Sequence, residues 1–338
     1  MKILANLKKN TILLILITII VLYFVLKDNI SGIFDIIKQV DIIHIVLALL
    51  MYFSAVSIKG YINYLIVNND KLFSKTEAIR QNFIAQFFNG ITPFATGGEP
   101  MAVYMLKEQG ISLPKATNYM VQSFIFYQIA LVVSGIIAVT YNFIFHIFPK
   151  VKFLEELVLL GFIINIIVVI VLLLSYSKVI TKKLCKIVIK VSRFLKIKIN
   201  EEELENKFDE YHHSLAEIKK RKYLMTKGII LNMISLGLLY LIPYCIMKGM
   251  PNIDYMKLID SYVSSAYVYL IGAFVPIPGA TGGIEYGFTQ FYGNFIGLET
   301  ISALLLVWRF ITYYVGVITG GLIFYIEKKV QDENRNIF

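Results

Sequence analysis

An arginine inside an apolar run, two glutamates and a glycine phrase used twice are the residues of this 338-residue chain whose chemistry is out of place among their neighbours. Arg309 sits in "LLLVWRFITYYVGVITGG", nine residues into a span that begins near residue 300, or roughly 13 Å down a helix rising about 1.5 Å per residue. A guanidinium at that depth costs at least about 2.5 kcal/mol on insertion scales and usually faces a bundle interior. Thr312 and Tyr313 lie one turn on and make that face polar. Two roles fit Arg309: a structural pair with Glu285 or Asp260, or a planar fork that binds a lipid phosphate.

Residues 92–104 read "TPFATGGEPMAVY" and residues 277–289 read "IPGATGGIEYGFT", so Pro-x-Ala-Thr-Gly-Gly occurs twice at an offset of 185. Glycine tolerates positive φ and close backbone approach, so each "ATGG" can turn the chain and start a half-helix with Glu99 or Glu285 in its first turn. Such a start directs unpaired N–H groups and a partial positive charge at whatever lies ahead, which suits a phosphate or carboxylate. The candidate substrate-binding set is therefore Thr96, Gly97, Gly98, Glu99, Thr281, Gly282, Gly283, Glu285, Arg309 and Tyr313. The other reading of the glycines is tight helix packing, as in Gly316-x-x-x-Gly320. Each glutamate either caps its own half-helix, worth roughly 0.3–1 kcal/mol, or stands as a midplane acid for a proton, a cation or a headgroup amine. Lys59, two turns from the end of its span, either snorkels or faces the interior. Arg80, Gln81, Asn82, Gln86 and Asn89 are dense for a membrane segment and are expected to line a cavity entrance from the cytoplasm.

The elements that position these groups are membrane helices. The chain is 57% hydrophobic and 17% charged, with mean hydropathy +0.68, and several runs approach the roughly 20 residues that cross a bilayer core. Full spans are expected near 11–26, 42–66, 119–145, 154–176, 226–247 and 300–326, with the first kept as an anchor because no small-residue cleavage site follows it. Two apolar regions, about 81–106 and 259–297, carry the glycine phrases and are expected to be re-entrant or broken hairpins. The expected fold is an all-α polytopic membrane protein of about six full spans plus two hairpins, forming a single integral membrane domain over 1–338.

With both hairpins re-entrant, 24 of the 33 lysines and arginines fall on one face and 6 on the other. The positive-inside rule then places both termini in the cytoplasm of a multi-pass protein in the cell (cytoplasmic) membrane. It also makes the hairpins open from opposite faces. The offset of 185 carries the span at 42–66 onto that at 226–247, and 119–145 onto 300–326. The architecture is thus an inverted-topology repeat, about 42–145 and about 227–330, of the kind in which secondary transporters hold substrate between discontinuous helices.

The cytoplasmic loop at 177–225 contains "TKKLCKIVIKVSRFLKIKI", with Leu184, Ile187, Val188, Val191, Phe194 and Leu195 at helical spacing between lysines. This is a basic amphipathic helix for an anionic leaflet. Its charge implies no nucleic acid, because the aromatic platforms of nucleic-acid readers are missing. Cys185 and Cys245 suggest neither a disulfide nor a metal site, and the adjacent His212 and His213 form no ligand cluster. No nucleophile with an oriented base is present, so no catalytic residues and no cofactor are expected. The classes left are a translocase or binding protein for anionic, aminoacylated or polyprenyl-phosphate lipids, an ion or small-anion transporter, and a lipid-modifying enzyme or its membrane subunit.

The phrases "QNFIAQFFNGITPFATGGEPMAVYMLKEQGIS", "FVPIPGATGGIEYGF" and "VWRFITYYVGVITGG" resemble those of the lysylphosphatidylglycerol synthase transmembrane-region family, over roughly residues 5–330. That family includes the membrane half of the multiple peptide resistance factor. The resemblance implies a flippase-like membrane part that moves aminoacylated phospholipid between leaflets, with Glu99, Glu285 and Arg309 in its motifs. In two-part relatives a soluble C-terminal domain transfers lysine from charged tRNA to phosphatidylglycerol. Only "EKKVQDENRNIF" follows the last span here, so the expectation is a stand-alone member, partnered by membrane phospholipids and by a separate lipid-modifying enzyme, rather than a lysyltransferase.

Overall fold

The computed structural model describes residues 30–67, 73–149, 151–174, 177–194, 222–250 and 256–335, with 200, 202, 204–206 and 209 between them. The span expected at 11–26 and the histidines at 212 and 213 lie outside the described residues. Every described regular element is helical. In chain order these are α1 (Ile30–Lys38), α2 (Ile42–Val67), α3 (Lys75–Ile91), α4 (Gly98–Glu108), α5 (Leu113–Phe145), α6 (Lys152–Leu174) and α7 (Lys178–Phe194). There follow α8 (Lys222–Lys248), α9 (Leu258–Gly272), α10 (Gly283–Tyr292), α11 (Leu298–Arg309) and α12 (Val315–Arg335).

Among the described residues, five segments are long and apolar enough to cross a membrane: α2, α5, α6, α8 and the run Glu299–Lys329 through α11 and α12. The most apolar, α6, leaves Leu159, Ile163, Ile167 and Ile170 exposed, the surface of a helix that faces lipid rather than protein. The last span is not one continuous α-helix as expected, because Phe310–Tyr314 is a π-helical turn directly after Arg309. A π turn slips the face by one residue and is often found at functional sites. Helix α1 was not anticipated; it docks on α11 and buries Ile33. In the basic loop, α7 forms as expected. Lys182, Lys183, Lys186, Lys190 and Ile187 are exposed, while Cys185 and Ile189 turn inward.

Both glycine phrases form helix–break–helix hairpins. The 17 residues of α3 and the 11 of α4 rise about 25 and 16 Å, so neither half alone crosses a core of roughly 30 Å. The corresponding lengths for α9 and α10 are 15 and 10 residues. Helical turns Pro93–Ala95 and Pro278–Ala280 mark the two breaks. Pro93 and Pro278, Gly98 and Gly283, and Leu113 and Leu298 start equivalent elements at the common offset. The backbone agrees at the break itself: Phe94 and Ala95 have φ 54 and 52, and their equivalents Gly279 and Ala280 have φ 65 and 51.

The two halves pack head to tail. Asp41 N–H donates to the Gly249 carbonyl at 2.8 Å, and Ser235 Oγ donates to the Ala55 carbonyl at 2.9 Å, so equivalent helices α2 and α8 run antiparallel. Each hairpin then packs on the closing helix of the other half. Gly320 of α12 brings its Cα so close to α3 that an added Cβ would lie 2.1 Å from the Phe83 carbonyl oxygen. At Gly316 it would lie 2.1 Å from the Tyr52 hydroxyl. That is the small-residue packing expected of this pair. On the other side, Tyr141 of α5 donates to Asp260 of α9 at 3.2 Å. These exchanges bring the two breaks into contact with each other.

Candidate functional site

The breaks meet at a cavity of about 900 Å3, within the size range of small-molecule sites. Its walls come from both halves and mix apolar with neutral polar groups: Val56, Met120, Leu131 and Val168 beside Asn63, Gln86, Asn232 and Thr312. Thr96, Gly98, Glu99, Arg309 and Tyr313 line it, as do Gln86 and Asn89.

Arg80 and Gln81, expected at a cavity entrance, are held elsewhere. Arg80 bonds the Glu77 carboxylate and reaches Glu327 of α12 at 2.8 Å. Gln81 is buried and donates to Glu77 at 3.2 Å; Gln109, at the C-terminal cap of α4, joins the same carboxylate at 2.7 Å. Glu77 draws these donors together because it is a charge-bearing acceptor at the hairpin base, and the network ties α3, α4 and α12. Asn82 does line the cavity while its amide bonds the Val56 carbonyl at 2.8 Å.

Three of the tip amides expected to meet an anion are satisfied by the protein itself. Thr92 Oγ1 accepts from Gly97 N–H at 2.9 Å, and Asn89 Oδ1 accepts from Gly98 N–H at 2.7 Å. In the second tip Glu285 Oε2 accepts from Gly282 N–H at 2.6 Å. The shared threonines are turn locks: Thr96 donates to the Pro93 carbonyl at 3.0 Å and Thr281 to the Pro278 carbonyl at 2.9 Å. Thus the common Pro and Thr need no ligand to explain them. Side-chain caps of this kind satisfy orphan donors that would otherwise seek an anion.

Arg309 is buried and the Nε–Nη2 edge of its fork is taken. Nε and Nη2 lie 2.7 Å and 2.6 Å from Glu285 Oε1, and Nη2 donates to the Gly279 carbonyl at 2.9 Å. Asp260, the other partner considered, bonds Tyr141 instead. Tyr313, on the π turn, donates to the Gly90 carbonyl at the end of α3 at 2.9 Å. The space over Gly279 is filled by its ring, since a Cβ there would lie 2.5 Å from Tyr313 Cε2. Arg309 and Tyr313 therefore bracket both tips, and of the two roles open to Arg309 the structural pair is the one formed.

The acid of the first tip has no such cationic partner among the described residues. Glu99 and Lys59 both line the cavity and are within electrostatic reach of one another, but neither is in an ion pair among the described residues. Lys59 Nζ instead lies 4.0 Å from the centroid of the Tyr127 ring, a cation–π contact. Next to Tyr127, the carbonyl oxygen of the Gln128 side chain is buried without a partner at the cavity wall. Sequence reasoning gave Lys59 little weight and passed over Tyr127 and Gln128. A signal was present: Tyr52, Lys59 and Asn63, spaced by seven and four residues, form one polar stripe on an apolar helix, and all three line the cavity.

Comparison with known proteins bears on this arrangement. A UPF0104 membrane protein of Archaeoglobus fulgidus is 23% identical over 252 residues, covering 70% of this chain and 72% of that protein. The family model described as the lysylphosphatidylglycerol synthase TM region matches residues 11–320. That match takes in both hairpins, the bracket between them and the last span as far as Gly320. With all-helical, multi-pass architecture around two matched breaks, the chain belongs to the lysylphosphatidylglycerol synthase transmembrane-region family.

Proposed function

We propose that this protein is a phospholipid translocase, with the headgroup held in the cavity between the two hairpin tips while the acyl chains remain in lipid. The observation that carries the reading is a charged cavity at the contact between two antiparallel halves, with one tip braced and, at the other, Glu99 and the nearby Lys59 of α2 in no ion pair among the described residues. Unpaired charges at membrane depth are costly and mark substrate or ion paths. Inverted halves around one site are suited to alternating exposure. A small-anion exchanger would rely on bare half-helix amides, and the capped amides of Gly97, Gly98 and Gly282 weigh against that use.

In reconstituted vesicles the protein should exchange an acyl-labelled phospholipid between leaflets faster than protein-free vesicles do. Lys59→Ala and Glu99→Gln should each slow exchange by about tenfold or more, equivalent to roughly 1.4 kcal/mol of lost interaction. Their melting should be unchanged or raised, because neither group loses an ion-pair partner when the other is neutralised. Vesicles in which no phospholipid exchanges above background would overturn the proposal.

A further inference from the structure

The ionised groups at the cavity divide into a closed pair and an open one. Arg309 and Glu285 neutralise each other, and Arg309 Nη2 and Glu285 Oε2 also bond the Gly279 carbonyl and the Gly282 amide. What is left to a ligand is one cation, Lys59 on α2, and one anion, Glu99 in the first turn of α4. They come from different elements and are not in ion-pair contact, so a ligand can enter between them without first breaking a bridge. Beside them is an acceptor with no donor, Gln128 Oε1, on a side chain more than nine-tenths buried.

Resting on the reading of this cavity as the headgroup site, we infer that it selects a zwitterionic headgroup carrying one phosphate and one primary ammonium. The phosphate sits at Lys59. The ammonium carries three N–H donors; Glu99 takes its charge and Gln128 Oε1 supplies a further acceptor. A headgroup with a phosphate and no amine leaves Glu99 buried, unpaired and close to a second anion, which is the costly arrangement for an ion removed from water. A lysylated headgroup, to which the family's name points, carries two ammonium groups, while this cavity offers one free carboxylate because Glu285 is committed to Arg309. The site therefore discriminates by charge count as well as by sign, and the charge it lacks is the one spent on bracing the second tip.

Trp308 is the sole tryptophan and lines the cavity, so its fluorescence reports occupancy independently of transport. Short-chain phosphatidylethanolamine, phosphatidylglycerol and lysylphosphatidylglycerol should be titrated against the detergent-solubilised full chain, and leaflet exchange of their acyl-labelled forms followed in vesicles. Phosphatidylethanolamine should bind at least about tenfold more tightly than either of the others, as expected for one charged hydrogen bond. Glu99→Gln should bring its ratio to phosphatidylglycerol to within about twofold, and Glu99→Asp should keep most of the preference. Equal or tighter binding of phosphatidylglycerol or lysylphosphatidylglycerol by the wild-type protein would overturn the inference, as would a preference that survives Glu99→Gln in a folded protein. Selective binding without leaflet exchange would remove the translocase reading and support the selectivity; exchange without selectivity would remove this inference alone.

Discussion

The two hairpin tips break in the same way and have opposite chemistry. Each breaks at Pro-x-Ala-Thr-Gly-Gly, each places two successive residues in the left-handed region, and each locks its turn with a threonine on a proline carbonyl. In the second tip the acid is consumed: Glu285 holds Arg309 and caps its own helix. In the first tip the caps are neutral, Thr92 and Asn89, and Glu99 is left to face the cavity opposite Lys59. A one-residue shift of the acid, from the position after Gly98 to the second position after Gly283, accompanies this difference. An acid at the third position of a helix can reach back to the N-cap amide, whereas one at the second cannot do so in the same way. One tip is thereby a brace and the other leaves its acid facing the cavity.

The comparison breaks first at Arg309. Neutralising either Arg309 or Glu285, by Arg309→Met or Glu285→Gln, should strip a buried ion of its partner and lower stability by about 3–5 kcal/mol, and the double substitution should recover much of that. Melting of the three variants in detergent checks it, and an Arg309→Met protein as stable as the wild type would remove the distinction between brace and site. A smaller effect separates the equivalent glycines. Gly97 has φ −86, an ordinary value, but a Cβ on it would lie 2.8 Å from the Phe88 carbonyl oxygen. Gly282 has φ +91 and open space around it. Gly97→Ala should therefore cost about 1–3 kcal/mol through overpacking, and Gly282→Ala about 1–2 kcal/mol through backbone strain. Removing the methyl of Thr92, whose Cγ2 would lie 2.7 Å from a Cβ on Gly97, by Thr92→Ser should ease the first and leave the second untouched.

The smallest effect is expected at Phe94. It occupies with φ 54 the place that Gly279 fills in the second tip, and it is exposed to the cavity rather than packed. Phe94→Gly should relieve a left-handed conformation at little loss of contacts and stabilise by about 0.5–1 kcal/mol. The reverse exchange, a side chain at Gly279, would collide with Tyr313. Melting of Phe94→Gly below the wild type would mean that the ring contributes packing that its exposure hides.

Much of this protein was determined by local chemistry and is legible in the chain. Proline and paired glycines end one helix and permit the next wherever they stand, so the breaks at Pro93 and Pro278 and the starts at Gly98 and Gly283 follow from residue type. The length of apolar runs places α2, α5, α6 and α8 to within a few residues, and the constant offset exposes the repeat. Tertiary structure decided the pairings. Arg309 had two candidate side-chain partners, Glu285 and Asp260, beside a lipid phosphate, and which one it meets depends on a π turn and on how α11 lies across the second tip. Whether an amide at Gly98 meets a ligand or Asn89 turns on the angle between α3 and α4. Lys59 reads as a snorkelling lysine until α2 is packed against α8 and its polar stripe is enclosed. Secondary structure is set over a few neighbouring residues, but the partner of a buried charge is set by elements tens of residues apart, and only the packed bundle brings those elements together.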